Sequence, residues 1–172
     1  MTRGHDRSVC ARLEDVPWGT WRPHERATLL FIIRAGQILL IHKKRGLGAG
    51  KIIGPGGRLE PGESPLQGAV REVQEELCIT PLGVRQCGDL VFQFVDGLAI
   101  LVYVFTATDC DGEPQETEEA IPIWTPLGQI PYDSMWADDR LWFPLMLAGR
   151  QFQGQMLFNG DLLLGQHVTI SP

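Results

Sequence analysis

The order of apolar and polar residues first predicts a β-hairpin near the start of the chain. Two apolar runs rich in β-forming residues, 28–33 and 37–42, are separated by Ala35 and Gly36. A short connection containing glycine between two such runs is typical of a hairpin. The next segment, GLGAGKIIGPGG at residues 46–57, is rich in glycine and predicts a loop.

The strongest helical pattern begins after this loop. Ser64 can cap the helix, Pro65 suits its first position, and Gln67 completes a capping box with Ser64. Apolar residues then recur at helical spacing, which predicts one buried face. The residues of this face are Leu66, Ala69, Val70, Val73 and Leu77.

The rest of the chain predicts a mixture of strands and one more helix. Strands are expected at 84–95 and 98–107, and the second is apolar enough to be central in a sheet. Residues 117–127 predict a loop and a short strand, 138–148 a helix, and 151–170 a hairpin that turns at Asn159 and Gly160. The order β, β, α, β, β, α, β predicts an α+β fold with helices packed on a sheet.

Length and composition indicate one domain with an irregular arm. The chain has 172 residues, of which 44% are hydrophobic, enough for one full core. Residues 1–24 have no periodicity and mix charges with Pro, Gly and the tryptophans Trp18 and Trp21. We therefore expect an arm at 1–24, ordered in part through these tryptophans, and a catalytic or binding domain at 25–172.

Charge and cysteine content narrow the classes of function. The net charge of −6 argues against binding of nucleic acid, although a cation can still mediate binding of a small phosphorylated ligand. The four cysteines, at positions 10, 78, 87 and 110, lack the spacing of a zinc site and the density of a disulfide scaffold, so reduced thiols are expected. No segment approaches the roughly 20 apolar residues of a membrane span. We expect a cytoplasmic protein, either a monomer or a homodimer.

Three glutamates crowd the second half of the first helix. Glu72, Glu75 and Glu76 lie three or four residues apart, where like charges destabilise a helix by a few tenths of a kcal/mol per pair (about 0.2–0.5). One interpretation is a solvated acidic face. The other is a site for Mg²⁺ or Mn²⁺, which prefer carboxylate oxygens. The preceding glycines favour the second interpretation, because they let the backbone approach an ion or a phosphate closely.

The spacing of these residues resembles the Nudix box, G-x5-E-x7-R-E-U-x-E-E-x-G-U with U apolar. The corresponding residues are Gly57, Glu63, Arg71, Glu72, Val73, Glu75, Glu76, Cys78 and Ile79. Only Cys78 departs from the pattern, because the family has glycine there. If the backbone at Cys78 is left-handed, its side chain costs on the order of 1 kcal/mol.

Resemblance to the Nudix family implies an α/β/α sandwich with a mixed sheet and hydrolysis of a nucleoside diphosphate linked to another group. It also implies that Glu63 pairs with Arg71 to hold the loop against the helix. Glu119 is our candidate for a further metal ligand or base, with a solvated loop acid as the alternative. Which glutamate takes the proton from water stays open. The resemblance implies Glu72, Glu75 and Glu76 as metal ligands, with the carbonyl of Gly56 or Gly57 nearby. Our candidate set of metal ligands is Gly56, Glu72, Glu75, Glu76 and Glu119.

Three stretches outside the box, 42–51, 89–97 and 130–147, resemble the subgroup of Nudix enzymes that hydrolyses oxidised purine nucleoside triphosphates. In that subgroup the residues matching Trp136, Asp138 and Asp139 stack on the purine and bind its edge. The alternative is that Trp136 belongs to the core and the aspartates cap the following helix. Further positions of the nucleotide pocket correspond to Thr28, Lys43, Phe92 and Phe94. For Phe92 and Phe94 the alternative is a place in the sheet core. For Lys43 the alternative is a solvated charge at the end of a strand.

Two substitutions separate the chain from this subgroup. Leu47 replaces an aromatic residue, and Ile53 replaces an asparagine that hydrogen-bonds the base. Because a site that hydrogen-bonds a substrate group rejects analogues strongly, loss of the amide weakens the expectation of specificity for 8-oxo-dGTP. A hydrolase of ADP-ribose or of a dinucleotide is the alternative within the enzyme class. A nucleotide-binding regulatory module without turnover is the alternative outside it.

Overall fold

The computed structural model describes residues 11–172. They form eleven strands and two α-helices, with short 3-10 turns at Leu13–Asp15, Leu127–Gln129 and Tyr132–Ser134. The helices are α1 (Pro65–Leu77) and α2 (Asp139–Leu147). The strands are β1 (Glu25–Arg34), β2 (Gln37–Lys43), β3 (Ile52–Ile53), β4 (Gly56–Arg58), β5 (Thr80–Leu82), β6 (Arg85–Phe94), β7 (Ala99–Ala107), β8 (Asp109–Asp111), β9 (Ala120–Pro126), β10 (Phe152–Asn159) and β11 (Leu162–Ile170).

Nine strands form one mixed sheet with the order β11-β10-β6-β7-β1-β2-β3, to which β4 adds beside β1 and β9 beside β2. The pairs β1–β7 and β6–β10 are parallel, whereas the other pairs in this sheet are antiparallel. The apolar strand predicted to be central is β7, which lies between β6 and β1. Strands β5 and β8 form a separate antiparallel pair.

The two faces of the sheet bury separate cores, each covered by one helix. Along β1, Phe31 packs into the cluster that contains Trp142 of α2, while Leu30 packs into the cluster that contains Val73 of α1. Neighbouring residues of a strand point to opposite faces, which explains the division. The predicted α+β fold with an α/β/α arrangement is confirmed.

The local signals identified the first hairpin and both helices correctly. Ala35 and Gly36 both have positive φ angles, 50° and 73°, as the tight turn between β1 and β2 requires. Helix α1 has the predicted cap, in which the Ser64 side chain accepts from the backbone N–H of Gln67. One predicted member of the buried face is wrong. Leu66 is 48% exposed, because the cluster beneath α1 begins only at Ala69.

The loop and turn predictions need three corrections. The glycine-rich segment contains β3 and β4, because its backbone pairs with β2 and β1. The last hairpin turns at Gly160 and Asp161, one residue later than predicted, because Asn159 still pairs with Leu162. The small β5–β8 sheet was not predicted, since strands of three residues carry too little periodicity to be recognised.

The described part of the predicted arm, residues 11–24, packs against the sheet. The indole N–H of Trp21 donates to Gln93 Oε1 at 2.8 Å, and Val16 is buried. Leu13 lies over Gly165 of β11, where an added Cβ would come within 2.9 Å of the leucine. The division into an arm and a domain stays a prediction, and Cys10 lies outside the described residues.

The three cysteines of the described segment, Cys78, Cys87 and Cys110, are free thiols. Among residues 11–172, no helix is long and apolar enough to span a membrane.

Replacing Cys78 with glycine is expected to stabilise the protein. Cys78 ends α1 with φ 59° and ψ 32°, a left-handed conformation that costs a side chain about 1–2 kcal/mol. Because glycine is also more flexible in the unfolded chain, the net gain for Cys78→Gly should be about 0.5–1 kcal/mol in the free energy of unfolding. Urea unfolding measures it, with Cys110→Ala as the thiol control. A loss of stability in Cys78→Gly would contradict the expectation.

Candidate active site

One cavity of about 570 Å³ gathers most of the predicted site residues. This volume lies within the range of sites that bind small molecules and cofactors. The residues on its wall include Thr28, Lys43, Gly56, Glu72, Glu76, Phe92, Phe94, Glu119, Trp136, Asp138 and Asp139. Three predicted residues, Glu63, Arg71 and Glu75, are not on the wall and form a brace behind it.

One end of the cavity is acidic and is built on α1. The Glu76 side chain is buried, and Glu76 Oε1 accepts a hydrogen bond of 2.9 Å from the backbone N–H of Gly56. Burial raises the pKa of Glu76 to about 8. Burial also raises the pKa of Glu72, although Arg71 opposes this. Both carboxylates therefore lack the solvation that usually stabilises negative charge.

Close packing around the two glycines fixes these carboxylates. A Cβ at Gly57 would come within 2.5 Å of the Glu72 carboxyl group, and a Cβ at Gly56 would overlap the backbone carbonyl oxygen of Thr28. Glycine is therefore required at both positions, because β4 lies directly against both β1 and α1. The same closeness allows the Gly56 N–H to reach Glu76.

Arg71 holds the loop and the acidic helix together from behind. Its guanidinium binds Glu63 through two hydrogen bonds of 2.6 and 2.9 Å, and contacts Glu72 Oε1 at 3.0 Å and Glu75 Oε2 at 3.1 Å. Arg71 also donates to the carbonyl oxygen of Arg58 at 3.0 Å. The hydrogen bonds from Arg71 lower the pKa of Glu63 to about 2. One arginine thus offsets the repulsion among the crowded carboxylates.

The three glutamates in the second half of α1 have different environments. Glu76 and Glu72 face the cavity, whereas the Glu75 side chain is 57% exposed and pairs with Arg71. Glu75 and Glu76 are one residue apart and so point about 100° apart around the helix. The shared role of all three as metal ligands stays a prediction.

Basic residues lie among the acids of the cavity wall. Lys43 lies at the end of β2, and burial lowers its pKa while the nearby Glu76, Glu119 and Glu72 oppose that shift. Arg45, also on the wall, pairs with Glu119 at 3.0 Å. The acidic end therefore contains cations that could balance a phosphate chain.

The donor set fits a hard divalent cation. Within residues 11–172, no three His, Cys, Asp or Glu side chains already converge on one point. However, Glu76 is a buried carboxylate with no Lys, Arg or His within 4.0 Å in the described chain, and Glu72 stands beside it on the same wall. Carboxylate oxygens of this kind suit Mg²⁺ or Mn²⁺. A cation would supply the positive charge that Glu76 lacks.

The other end of the cavity is apolar and aromatic. Trp136 makes edge-to-face contacts with Phe94 and Phe158, with ring centroids 6.2 and 5.4 Å apart. Gly48 lies against the indole N–H, where an added Cβ would come within 2.9 Å. The ammonium group of Lys51 lies 5.0 Å from the ring centroid and pairs with Asp161 at 3.1 Å. Trp136 is partly buried and held by neighbours, with part of its surface on the cavity wall.

The two neighbouring aspartates are both buried. Asp138 Oδ2 accepts from the indole N–H of Trp142 at 2.8 Å, whereas Asp138 Oδ1 has no hydrogen-bond partner among residues 11–172. Asp138 precedes α2 but makes no side-chain capping bond, which disfavours the helix-cap interpretation for this residue. Burial raises the pKa of Asp138 to about 6 and that of Asp139 well above its usual range, where the charge of Asp138 adds to the effect. The pair can therefore offer a donor and an acceptor together.

The substituted positions lie where the resemblance implies. Leu47 and Ile53 are both on the cavity wall, and Leu47 is 48% exposed. Ile53 offers no hydrogen bond from its side chain, so polar recognition must come from elsewhere on the wall. Thr28 is a candidate, because its buried hydroxyl has no partner within the described chain.

Among the wall residues that sequence reasoning missed are Arg45, Arg58 and Trp142. Trp142 follows Asp138 by four residues, a spacing that places the two on one helical face and could have been recognised. Arg45 and Arg58 lie on the wall through long-range contacts, Arg45 with Glu119 and Arg58 with Glu25 at 3.1 Å. No pattern within a short stretch of sequence predicts ion pairs between residues so far apart in the chain.

The chain is similar to a known protein family and to curated relatives over most of its length. The profile of the NUDIX domain matches residues 23–146. An oxidized purine nucleoside triphosphate hydrolase from Danio rerio is 40% identical over 141 residues, which cover 81% of this chain and 90% of the relative. An oxidized purine nucleoside triphosphate hydrolase from Mus musculus is 39% identical over 132 residues, which cover 76% of this chain and 85% of the mouse protein.

Solved structures agree with the fold. A crystal structure of a MutT protein from Bacillus halodurans superposes with a TM-score of 0.77 and 28% sequence identity. The match covers 86% of this chain and 99% of that one. The similarity therefore extends over the sheet and both helices, beyond the motif on α1.

Proposed function

Because the chain belongs to the Nudix hydrolase family, we propose that it hydrolyses purine nucleoside triphosphates, including those with oxidised bases, to the nucleoside monophosphate and pyrophosphate. Such an activity would remove damaged nucleotides from the pool that supplies DNA synthesis. Nudix hydrolases generally need a divalent metal ion. We propose Mg²⁺, with Mn²⁺ as a substitute, on the basis of the oxygen donors at the acidic end.

A single observation supports this function best: the acidic end and the aromatic end belong to one cavity. A nucleoside triphosphate has a charged chain at one end and a flat base at the other. Glu72 and Glu76 stand where the chain would need cations, and Trp136, Asp138 and Asp139 stand where a base could be stacked and hydrogen-bonded. A binding module without turnover would have no need for carboxylates buried at a cost in stability.

The carboxylates of Glu72, Glu75, Glu76 and Glu119, with the carbonyl of Gly56, would hold the metal. When bound, the metal offsets phosphate charge, polarises phosphorus and makes the attacking water more acidic. The ammonium group of Lys43 would offset part of the negative charge of the phosphate chain. Either Glu119 or a glutamate of α1 takes the proton from water. Arg71 and Glu63 keep the helix and the loop in register.

Base recognition would rest on stacking and on the aspartate pair. Stacking on Trp136 is tolerant of the base, since every base has a π face. A protonated carboxyl group on Asp139 donates a hydrogen bond, whereas the ionised form of Asp138 only accepts, so together they can match more than one purine edge. Phe92 and Phe94 line the wall beside them, and Thr28 offers a further hydroxyl. With isoleucine at position 53, we expect weaker discrimination between oxidised and normal purines.

A panel of nucleotides tests the proposal. The protein would be assayed with Mg²⁺ on 8-oxo-dGTP, 2-oxo-dATP, dGTP, dATP, ADP-ribose and a dinucleoside polyphosphate, with separate detection of pyrophosphate and phosphate. We expect pyrophosphate from the purine triphosphates and kcat/KM values that differ by less than about 10⁴-fold between oxidised and normal bases, because the polar group that would reject analogues is absent. Preferential turnover of ADP-ribose or of the dinucleotide would contradict the proposal.

A further inference from the structure

Arg45 lies on the cavity wall and is paired with an acid of the same wall. Its Nη2 atom is 3.0 Å from Glu119 Oε1. The backbone also joins the two loops, since the N–H of Lys44 donates to the carbonyl oxygen of Glu119 at 3.0 Å. A cationic side chain therefore contacts an oxygen of the residue that we expect to hold metal or to take a proton.

The ion pair between Arg45 and Glu119 can be broken at a small cost in free energy. The side chains of Arg45 and Glu119 are 61% and 46% exposed, whereas those of Arg71 and Glu63 in the bracing pair are only 21% and 12% exposed. Exposed ion pairs contribute little net stability, because water competes for both charges. Either partner can therefore leave for a stronger ligand at a small cost, and the loops stay joined through the backbone of Lys44.

When a metal ion and a phosphate chain occupy the cavity, Arg45 and Glu119 each have a binding partner stronger than the other. The guanidinium group of arginine matches the geometry of a phosphate and can bind it with two hydrogen bonds. A carboxylate such as Glu119 binds a divalent cation more strongly than it binds an exposed arginine. The other arginine of the wall, Arg58, pairs with Glu25, which is also on the wall, so Arg45 is the cation already held by a proposed ligand of the metal.

We propose that Arg45 is a phosphate-binding residue that exchanges partners: Glu119 holds it in the empty cavity, and it moves to the phosphate chain when Glu119 takes up the metal. This proposal rests on the proposed function, in which the cavity binds a nucleoside triphosphate. It has a thermodynamic consequence. Arg45 competes with the metal in the empty protein and is released from that competition by phosphate, so metal and phosphate chain promote each other's binding.

Two binding measurements on Arg45→Met test the exchange. Removing the competitor should tighten binding of Mn²⁺ to the nucleotide-free protein by about 2–5-fold, the range expected when an exposed ion pair is lost. Removing the phosphate ligand should weaken binding of the Mg²⁺ complex of inorganic tripolyphosphate by about 10-fold, because hydrogen bonds to charged groups are the strong ones. Electron paramagnetic resonance follows Mn²⁺, and calorimetry follows tripolyphosphate.

Lys44→Met is the matched control. It removes a neighbouring charge whose ammonium group pairs with Glu116 at 2.6 Å and with the carbonyl oxygen of Thr117 at 2.7 Å, away from the cavity wall. Both affinities should stay within about two-fold of wild type in this variant. Arg45→Lys should recover only part of the binding of tripolyphosphate, because the positive charge remains but the planar geometry with two hydrogen bonds is lost.

The exchange is overturned if Arg45→Met binds Mn²⁺ no more tightly than wild type, or if its affinity for tripolyphosphate is unchanged. A change in only one of the two affinities also overturns it, because the exchange requires both. Neither measurement uses a base or turnover. Failure of the wild-type protein to hydrolyse purine triphosphates would therefore refute the proposed function, whereas the two affinities would still test the exchange.

Discussion

Glu76→Gln is expected to lower kcat by about 10²–10⁴-fold, because it removes a carboxylate that would ligate the metal at the acidic end of the cavity. The substitution keeps the shape of the side chain. The amide oxygen of glutamine can still accept the hydrogen bond that Gly56 N–H gives to Glu76 Oε1. Because burial disfavours the ionised form of Glu76, replacing it with a neutral amide should leave the free energy of unfolding unchanged or higher. Steady-state kinetics with Mg²⁺ and urea unfolding measure the two effects.

Comparison with other acids makes this result specific. Glu118 is an exposed acid outside the cavity wall, so Glu118→Gln should keep wild-type turnover. The variant Glu75→Gln tests whether Glu75 breaks its ion pair with Arg71 and binds the metal. A loss similar to that of Glu76→Gln supports the role as ligand, whereas a small loss places Glu75 in the brace alone. Near wild-type turnover in Glu76→Gln would refute its assignment to the metal site.

The local signals on α1 were strong enough to predict both the element and its chemistry. The capping box and the spacing of Glu63, Arg71 and Glu76 depend on residues close in sequence, and the structure contains the cap and the contact between Glu63 and Arg71. The spacing of Glu72, Glu75 and Glu76 indicated an acidic segment of the helix. It could not show that only Glu76 is deeply buried, since its burial depends on Gly56, twenty residues away in the loop.

The composition of the cavity wall depends on pairings that no local pattern reveals. Thr28 of β1 faces Gly57 of β4 in an antiparallel register, and β1 lies parallel to β7 through residues far along the chain. Asp138 and Asp139 come from the segment before α2, and Glu119 from the loop before β9. The resemblance supplied these residues one by one. The sheet explains why they meet, and it adds Arg45 and Arg58, which the resemblance did not single out.

Trp136→Ala is expected to raise KM for purine triphosphates by about 5–100-fold, because stacking of a base on an aromatic ring contributes about 1–3 kcal/mol. The turnover number should change by less than about three-fold, since the acidic end of the cavity is unaltered and stacking is equal in the ground state and the transition state. Initial rates over a range of nucleotide concentrations separate the two constants.

Two further variants distinguish stacking from packing. Trp136→Phe keeps a π face and should recover part of the lost affinity. Trp124→Ala removes another partly buried indole, which packs beside the cluster under α1 and contacts Arg34 away from the cavity, so KM should stay near the wild-type value. Since Trp136 also contacts Phe94 and Phe158, its removal should cost stability as well. If KM in Trp136→Ala were unchanged while stability fell, Trp136 would be a core residue and the base would stack elsewhere on the wall.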